Sequence, residues 1–215
     1  QHAIERSDCV TAVSDFLRDR TAEVFGVAKD RIRRIYNFVN PADFNPELPC
    51  GCPDGRVKRC GKTVLVHASN LREVKQPLDI IRVFRAVADV TGDKCQLRIV
   101  GDGPLRGAME KLAADLGLKD RVMFTGATSR PGMFLACADI FLMTSHEESF
   151  GLAALEAMAC RTAVVGYKSG GLPEVVEDGV SGLMTPYNDT AAMAAACLAL
   201  LNDRPRLERM KDAAL

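Results

Sequence analysis

At 215 residues, with 47% hydrophobic and 26% charged residues, the chain has the composition of an ordinary folded protein and excludes a disordered or fibrous one. Lys plus Arg balance Asp plus Glu at 28 each, so no net field directs it to nucleic acid or an anionic membrane as its main partner. No uninterrupted run of 18 apolar residues is present and the first six residues carry no leader pattern; with eight scattered cysteines, this reads as a cytoplasmic chain without an integral membrane segment.

The first forty residues read as a small βαβ piece. Strands at 10–13 and 33–36 flank a helix at 15–25, for which Ser14 is a suitable N-cap. Such a piece is too small to close a core of its own, so residues 1–40 read as the tail of an upstream α/β domain, truncated here. The chain also opens without Met and reads as part of a longer protein. Residues 41–62 read as a linker, in a stretch where 37–62 holds four of the ten prolines. Cys50, Cys52 and Cys60 fall in it, but their spacing is not that of a zinc ribbon and no His lies among them; an ordinary loop with incidental thiols is the preferred reading.

From residue 63 onward, short β-branched runs alternate with helical stretches. Strands are expected at 63–67, 95–100, 121–124, 140–143, 163–166 and 182–185. Helices are expected after Pro77 and at about 105–116, 132–137, 150–160, 172–177, 190–202 and from Pro205. In the first of them Ile80, Ile81, Phe84, Val87 and Ala88 form an apolar stripe, and Asp79, Arg82, Arg85 and Asp89 the opposite face. Strands joined through helices imply right-handed crossovers and a Rossmann-like parallel sheet with helices on both faces, whose ligands bind at the carboxyl ends of the strands.

Three loops at those ends carry candidate chemistry. The run Ser145-His146-Glu147-Glu148-Ser149-Phe150-Gly151-Leu152 leads into a helix, leaving Glu148 in the loop and Glu156 about two turns inside. Free backbone N–H groups at that helix start favour a phosphate, and the carboxylates can accept hydrogen bonds from sugar hydroxyls. Two glutamates alone would fit an acidic helix start equally well. The loop after the first large strand, His67-Ala68-Ser69-Asn70-Leu71-Arg72-Glu73-Val74-Lys75, supplies cations. Gly101-Asp102-Gly103-Pro104 permits a tight turn, but Gly-x-Gly without a third glycine is no dinucleotide fingerprint, which ranks an NAD-binding domain far lower. His67 on a buried strand reads as a satisfied core residue, and His146 has no nucleophile to serve. With no D-x-D pair present, no metal is expected.

The spacing of Glu148 and Glu156 around Phe150-Gly151, with Gly170-Gly171-Leu172-Pro173-Glu174-Val175-Val176 downstream, resembles the E-x7-E motif of the family 4 retaining glycosyltransferases of GT-B fold. The resemblance covers nearly the whole chain, with residues 63–215 as the nucleotide-sugar-binding domain. It implies a UDP-sugar donor, Glu148 near the sugar hydroxyls, Glu156 on the ribose, and Phe150, Gly151 and Leu152 beside sugar and phosphates. Lys75 would meet the diphosphate, Gly101 and Gly103 the nucleotide, and Ala127, after Thr125-Gly126, the uracil. No cofactor is implied. Where most of the family carries arginine the chain has Asn70; either Arg72 supplies the missing charge or, as Ser-Asn-Leu-Arg-x-Val-Lys and 35–40 resemble, the chain falls in the subgroup that joins N-acetylglucosamine to L-malate in bacillithiol synthesis. The implied reaction is transfer of a sugar to a small-molecule hydroxyl acceptor with retained configuration. Its acceptor cleft would face the missing upstream domain, so this half should not turn over alone. A binding module of the same fold without transfer is the rival, and a homodimer is left open.

Overall fold

A computed structural model describes residue 4, residues 6–51 and residues 62–215. Cys52 and Cys60 lie outside these residues. The N-terminal βαβ piece consists of β1 (Val10–Ala12), α1 (Asp15–Phe25) and β2 (Ile32–Arg34). Its two strands pair in parallel as a separate sheet, closed over a small cluster of Ala12, Val27 and Ile32. Ser14 caps α1 as expected, accepting from the Leu17 N–H. The second strand ends two residues before the expected 36: the Ile35 N–H still bonds to the Ala12 carbonyl, and Tyr36 then turns toward Phe150.

The large sheet is formed by β3 (Thr63–Ala68), β4 (Cys95–Val100), β5 (Val122–Gly126), β6 (Ile140–Met143), β7 (Ala163–Tyr167) and β8 (Gly182–Thr185). Between and after them run α2 (Pro77–Thr91), α3 (Arg106–Asp115), α4 (Gly132–Leu135), α5 (Leu152–Ala159), α6 (Thr190–Asn202) and α7 (Arg204–Ala214). All neighbouring strands are parallel, in the order β5-β4-β3-β6-β7-β8. This is the Rossmann-like arrangement expected from the alternation of elements.

Successive strand residues alternate between two cores because side chains alternate across a sheet. Leu65, Ile99, Leu142 and Val165 face α2 and α6 with Ile80, Phe84 and Met193, while Val64, Val66, Phe141 and Val164 face α5 with Ala154 and Ala157. Each fully buried aliphatic or Phe side chain contributes about 1.5–3 kcal/mol. Between β3 and β6 the strand order reverses, and the helices that follow these two neighbours, α2 and α5, lie on opposite faces. The divergence of the two helices opens the crevice in which such sheets bind ligands.

Two expectations are corrected. Asp79 is not on the solvent face of α2: it is 7% exposed, accepting from the Tyr167 hydroxyl at 3.1 Å and pairing with Arg82 at 2.7 Å. The helix expected at 172–177 is a single 3-10 turn, Leu172–Glu174, after which the Glu177 N–H is taken by the Ser181 hydroxyl.

Candidate functional site

The loop after β3 is set by a relay starting on the strand. His67, buried beside Phe141, donates from Nδ1 to the Leu142 carbonyl at 2.9 Å; Nε2 then accepts from the Ser69 hydroxyl at 2.8 Å. Ser69 Oγ in turn accepts from the Leu71 N–H, holding buried Leu71 in the left-handed region at φ 42°. Burial lowers the His67 pKa to about 4, so the ring is neutral and the Leu142 carbonyl fixes its tautomer. The expected core role of His67 is therefore correct, with the addition that it shapes the loop carrying Asn70.

Lys75 closes the 3-10 turn Glu73–Lys75. The Thr144 hydroxyl, fully buried at the end of β6, donates to the Lys75 carbonyl at 2.8 Å, and the His146 N–H donates to the Val74 carbonyl. These contacts tie the two loops at the switch point together. They place the Lys75 ammonium 2.8 Å from Glu148 Oε2, with side chains 24% and 12% exposed.

The backbone of Glu148 is held from a third loop. The Gly171 N–H donates to the Glu148 carbonyl at 2.7 Å, and a Cβ on Gly170 would lie 2.0 Å from that same carbonyl oxygen. Gly170 is thus required by close backbone approach and by its φ of 58°. The chain then passes through Gly151 at φ 106° into α5, which begins at Leu152, two residues later than expected, because the left-handed glycine ends the loop. No side chain caps α5, so its first N–H groups are free to meet an anion. Glu156, about one turn into α5, is half-buried, and desolvation raises its pKa above the usual carboxylate value.

Around these groups lies a cleft of about 400 Å³ lined by Asn70, Lys75, Gly101, Glu148, Leu152 and Glu156, together with Ser69, Thr128, Pro131 and Ala153. Five expected residues are not in its lining. Arg72 is exposed and outside the lining. Phe150 is buried against the Tyr36 ring, 5.7 Å between centroids, and Gly151 against Leu172. Ala127 yields its place to Thr128. Gly103 has another use: a Cβ there would lie 1.9 Å from the Asn70 carbonyl oxygen, and one on Gly101 2.0 Å from that of Ser69. Both glycines admit the neighbouring loop, which accounts for Gly-x-Gly without a dinucleotide. Thr144, Thr128 and Pro131 were not anticipated; a hydroxyl ending an apolar strand is the only local signal for Thr144.

Among the described residues, no group of three or more His, Cys, Asp or Glu side chains is placed to hold a metal ion, and no helix is long and apolar enough to cross a membrane.

Residues 55–215 match the family described as glycosyl transferases group 1, and residues 1–43 match glycosyltransferase family 4. The chain belongs to the group 1 glycosyltransferases. The chain is 36% identical to N-acetyl-alpha-D-glucosaminyl L-malate synthase of Bacillus anthracis, over 98% of this chain and 55% of that protein. It is 30% identical to D-inositol 3-phosphate glycosyltransferase of Saccharomonospora viridis, over 96% and 50%. It thus spans about half the length of the curated relatives it matches. In fold it is similar to Anabaena HepE, solved in complex with UDP and glucose: TM-score 0.84 at 22% identity, covering 99% of this chain and 58% of that one. Such neighbours have the GT-B glycosyltransferase fold, and the six-stranded parallel sheet agrees with it.

Proposed function

We propose that this chain is the donor-binding half of a retaining glycosyltransferase that moves a sugar from UDP to a hydroxyl acceptor. One observation carries the reading: Lys75 and Glu148, 2.8 Å apart, share a cleft with Glu156 at the switch point of the sheet. Glu156 lies in α5 and suits the ribose hydroxyls. The start of α5 and Lys75 suit the diphosphate, where negative charge grows as the sugar–oxygen bond breaks. Glu148, in the loop before the helix, suits the hydroxyls of the departing sugar. Lys75 gives up part of its contact with Glu148 as the diphosphate enters.

With Lys75 and a helix start supplying positive charge, donor binding proceeds without a metal ion. Asn70 offers an uncharged amide at the diphosphate end, and Arg72 no compensation. Residues 1–40 close the acceptor domain and residues 41–62 link it to 63–215. The donor sugar is N-acetylglucosamine and the acceptor L-malate, by similarity to the Bacillus anthracis synthase; the setting is bacillithiol synthesis in the cytoplasm. The test is turnover by the full-length enzyme with UDP-N-acetylglucosamine and L-malate, with and without a chelator. The product should keep the donor's anomeric configuration, and chelation should not slow it. An inverted product, or UDP binding without any transfer, would defeat the proposal.

A further inference from the structure

The donor loop is held not only by its own domain but also by the small N-terminal unit. Ser14 is fully buried, and its hydroxyl serves two elements at once. It accepts from the Leu17 N–H as the cap of α1 and donates to the Ser149 carbonyl at 2.5 Å, across 135 residues of sequence. A second tie runs the other way. Both carboxylate oxygens of Glu174 accept from the first turn of α1, from the Asp15 N–H at 2.7 Å and the Phe16 N–H at 2.8 Å. Glu174 ends the turn that begins at Gly171, whose N–H holds the Glu148 carbonyl. A third contact places the Tyr36 ring against Phe150.

All three ties converge on 148–150, the residues just before the left-handed Gly151. None reaches the part of α5 that bears Glu156. From this geometry we infer that Ser14 and Glu174 are positioning residues, through which the N-terminal unit sets the Glu148 loop for the transferred sugar while leaving the nucleotide end of the cleft alone. The inference rests on the donor-site reading above. A capping carboxylate from another unit also suits the orphan N–H groups and positive end of α1, so the tie weakens if α1 shifts as the two units move.

Glu174→Gln offers one acceptor oxygen where two N–H groups face it, and turns an N–H₂ group toward one of them. Ser14→Ala removes both roles, whereas Ser14→Thr keeps the hydroxyl. The full-length enzyme should show kcat lowered about tenfold in Glu174→Gln and Ser14→Ala, with UDP affinity within about twofold of the parent and recovery in Ser14→Thr. A merely structural role would lower kcat, UDP affinity and thermal midpoint together, and that result would overturn the inference. Hydrogen exchange without ligand provides a readout independent of activity. The Gly171 amide should exchange about tenfold faster in both variants, with the strand amides of β3 and β6 unchanged. Unchanged exchange at Gly171 would overturn the tie however the enzyme behaves. Faster exchange in a protein that binds no UDP would instead reject the donor-site reading and leave the tie in place.

Discussion

Lys75 and Arg72 lie three residues apart in one loop and differ in what surrounds them. Lys75 lines the cleft against Glu148, while Arg72 is exposed and outside it. Lys75→Ala should therefore weaken UDP and UDP-sugar alike by about 1–3 kcal/mol, the range for a lost charged hydrogen bond, whereas Arg72→Ala should change either by less than about 0.5 kcal/mol. Calorimetry at one salt concentration separates them. Glu156 shows the opposite demands of binding and stability. Desolvation raises its pKa, so the folded protein holds that proton more tightly than the unfolded chain, and the charged form costs stability as pH rises through the raised value. At neutral pH, Glu156→Gln should raise the thermal midpoint of the ligand-free protein while weakening UDP. Glu148 and Glu156 were legible in the sequence because their spacing around Phe150-Gly151 is a local pattern. The cap role of Ser14 was legible for the same reason, but its bond to Ser149 and the contacts of Thr144 and Glu174 were not, since those partners lie 68 to 159 residues away.

At the scale of elements, the periodicity marked β4, β6, β8, α1 and α6 to the residue, because each is bounded by turn chemistry or a cap next to an unbroken apolar pattern. It was less informative where a tertiary contact decides. Asp79 reads as part of a polar face, yet the Tyr167 hydroxyl turns it inward. Gly103 reads as part of a ligand-facing turn, yet it lies outside the cleft and admits the Asn70 carbonyl, while Gly101 both lines the cleft and lets the Ser69 carbonyl pass. The relay from β3 into that backbone has a pH signature. The His67 pKa is about 4 in the folded protein against an ordinary value of 6.5, so the unfolded chain binds the extra proton first. The stability this neutral ring provides is fully present above pH 6.5 and is lost as pH falls from there toward 4. One such proton gives a slope of up to about 1.4 kcal/mol per pH unit. Denaturant titrations across that window should show this acid limb, and His67→Gln should flatten it. An unchanged limb would mean that other groups carry the pH dependence.

The described residues form a six-stranded parallel sheet with a two-stranded unit docked on the loop before α5. The sequence indicated both pieces, since alternating β-branched runs and helices permit few other arrangements. It did not indicate how the pieces touch, because single-chain patterns carry no record of contact between separate units. Cys50, within the intervening stretch, has its Sγ 2.6 Å from that of Cys137 and 3.7 Å from the Arg98 guanidinium. Among the described residues no third metal ligand stands beside these two thiols, so the purified protein should contain no stoichiometric zinc; one equivalent by elemental analysis would reverse this. In the function proposed above the cleft is divided, with Glu156 serving the nucleotide and Glu148 the transferred sugar. The most direct test is calorimetric titration of UDP and of UDP-N-acetylglucosamine into the parent protein, Glu148→Gln and Glu156→Ala. Glu156→Ala should weaken both ligands by about 1–3 kcal/mol. Glu148→Gln should leave UDP almost unchanged and weaken only the UDP-sugar. An equal loss of UDP affinity in the two variants would contradict the division of the site.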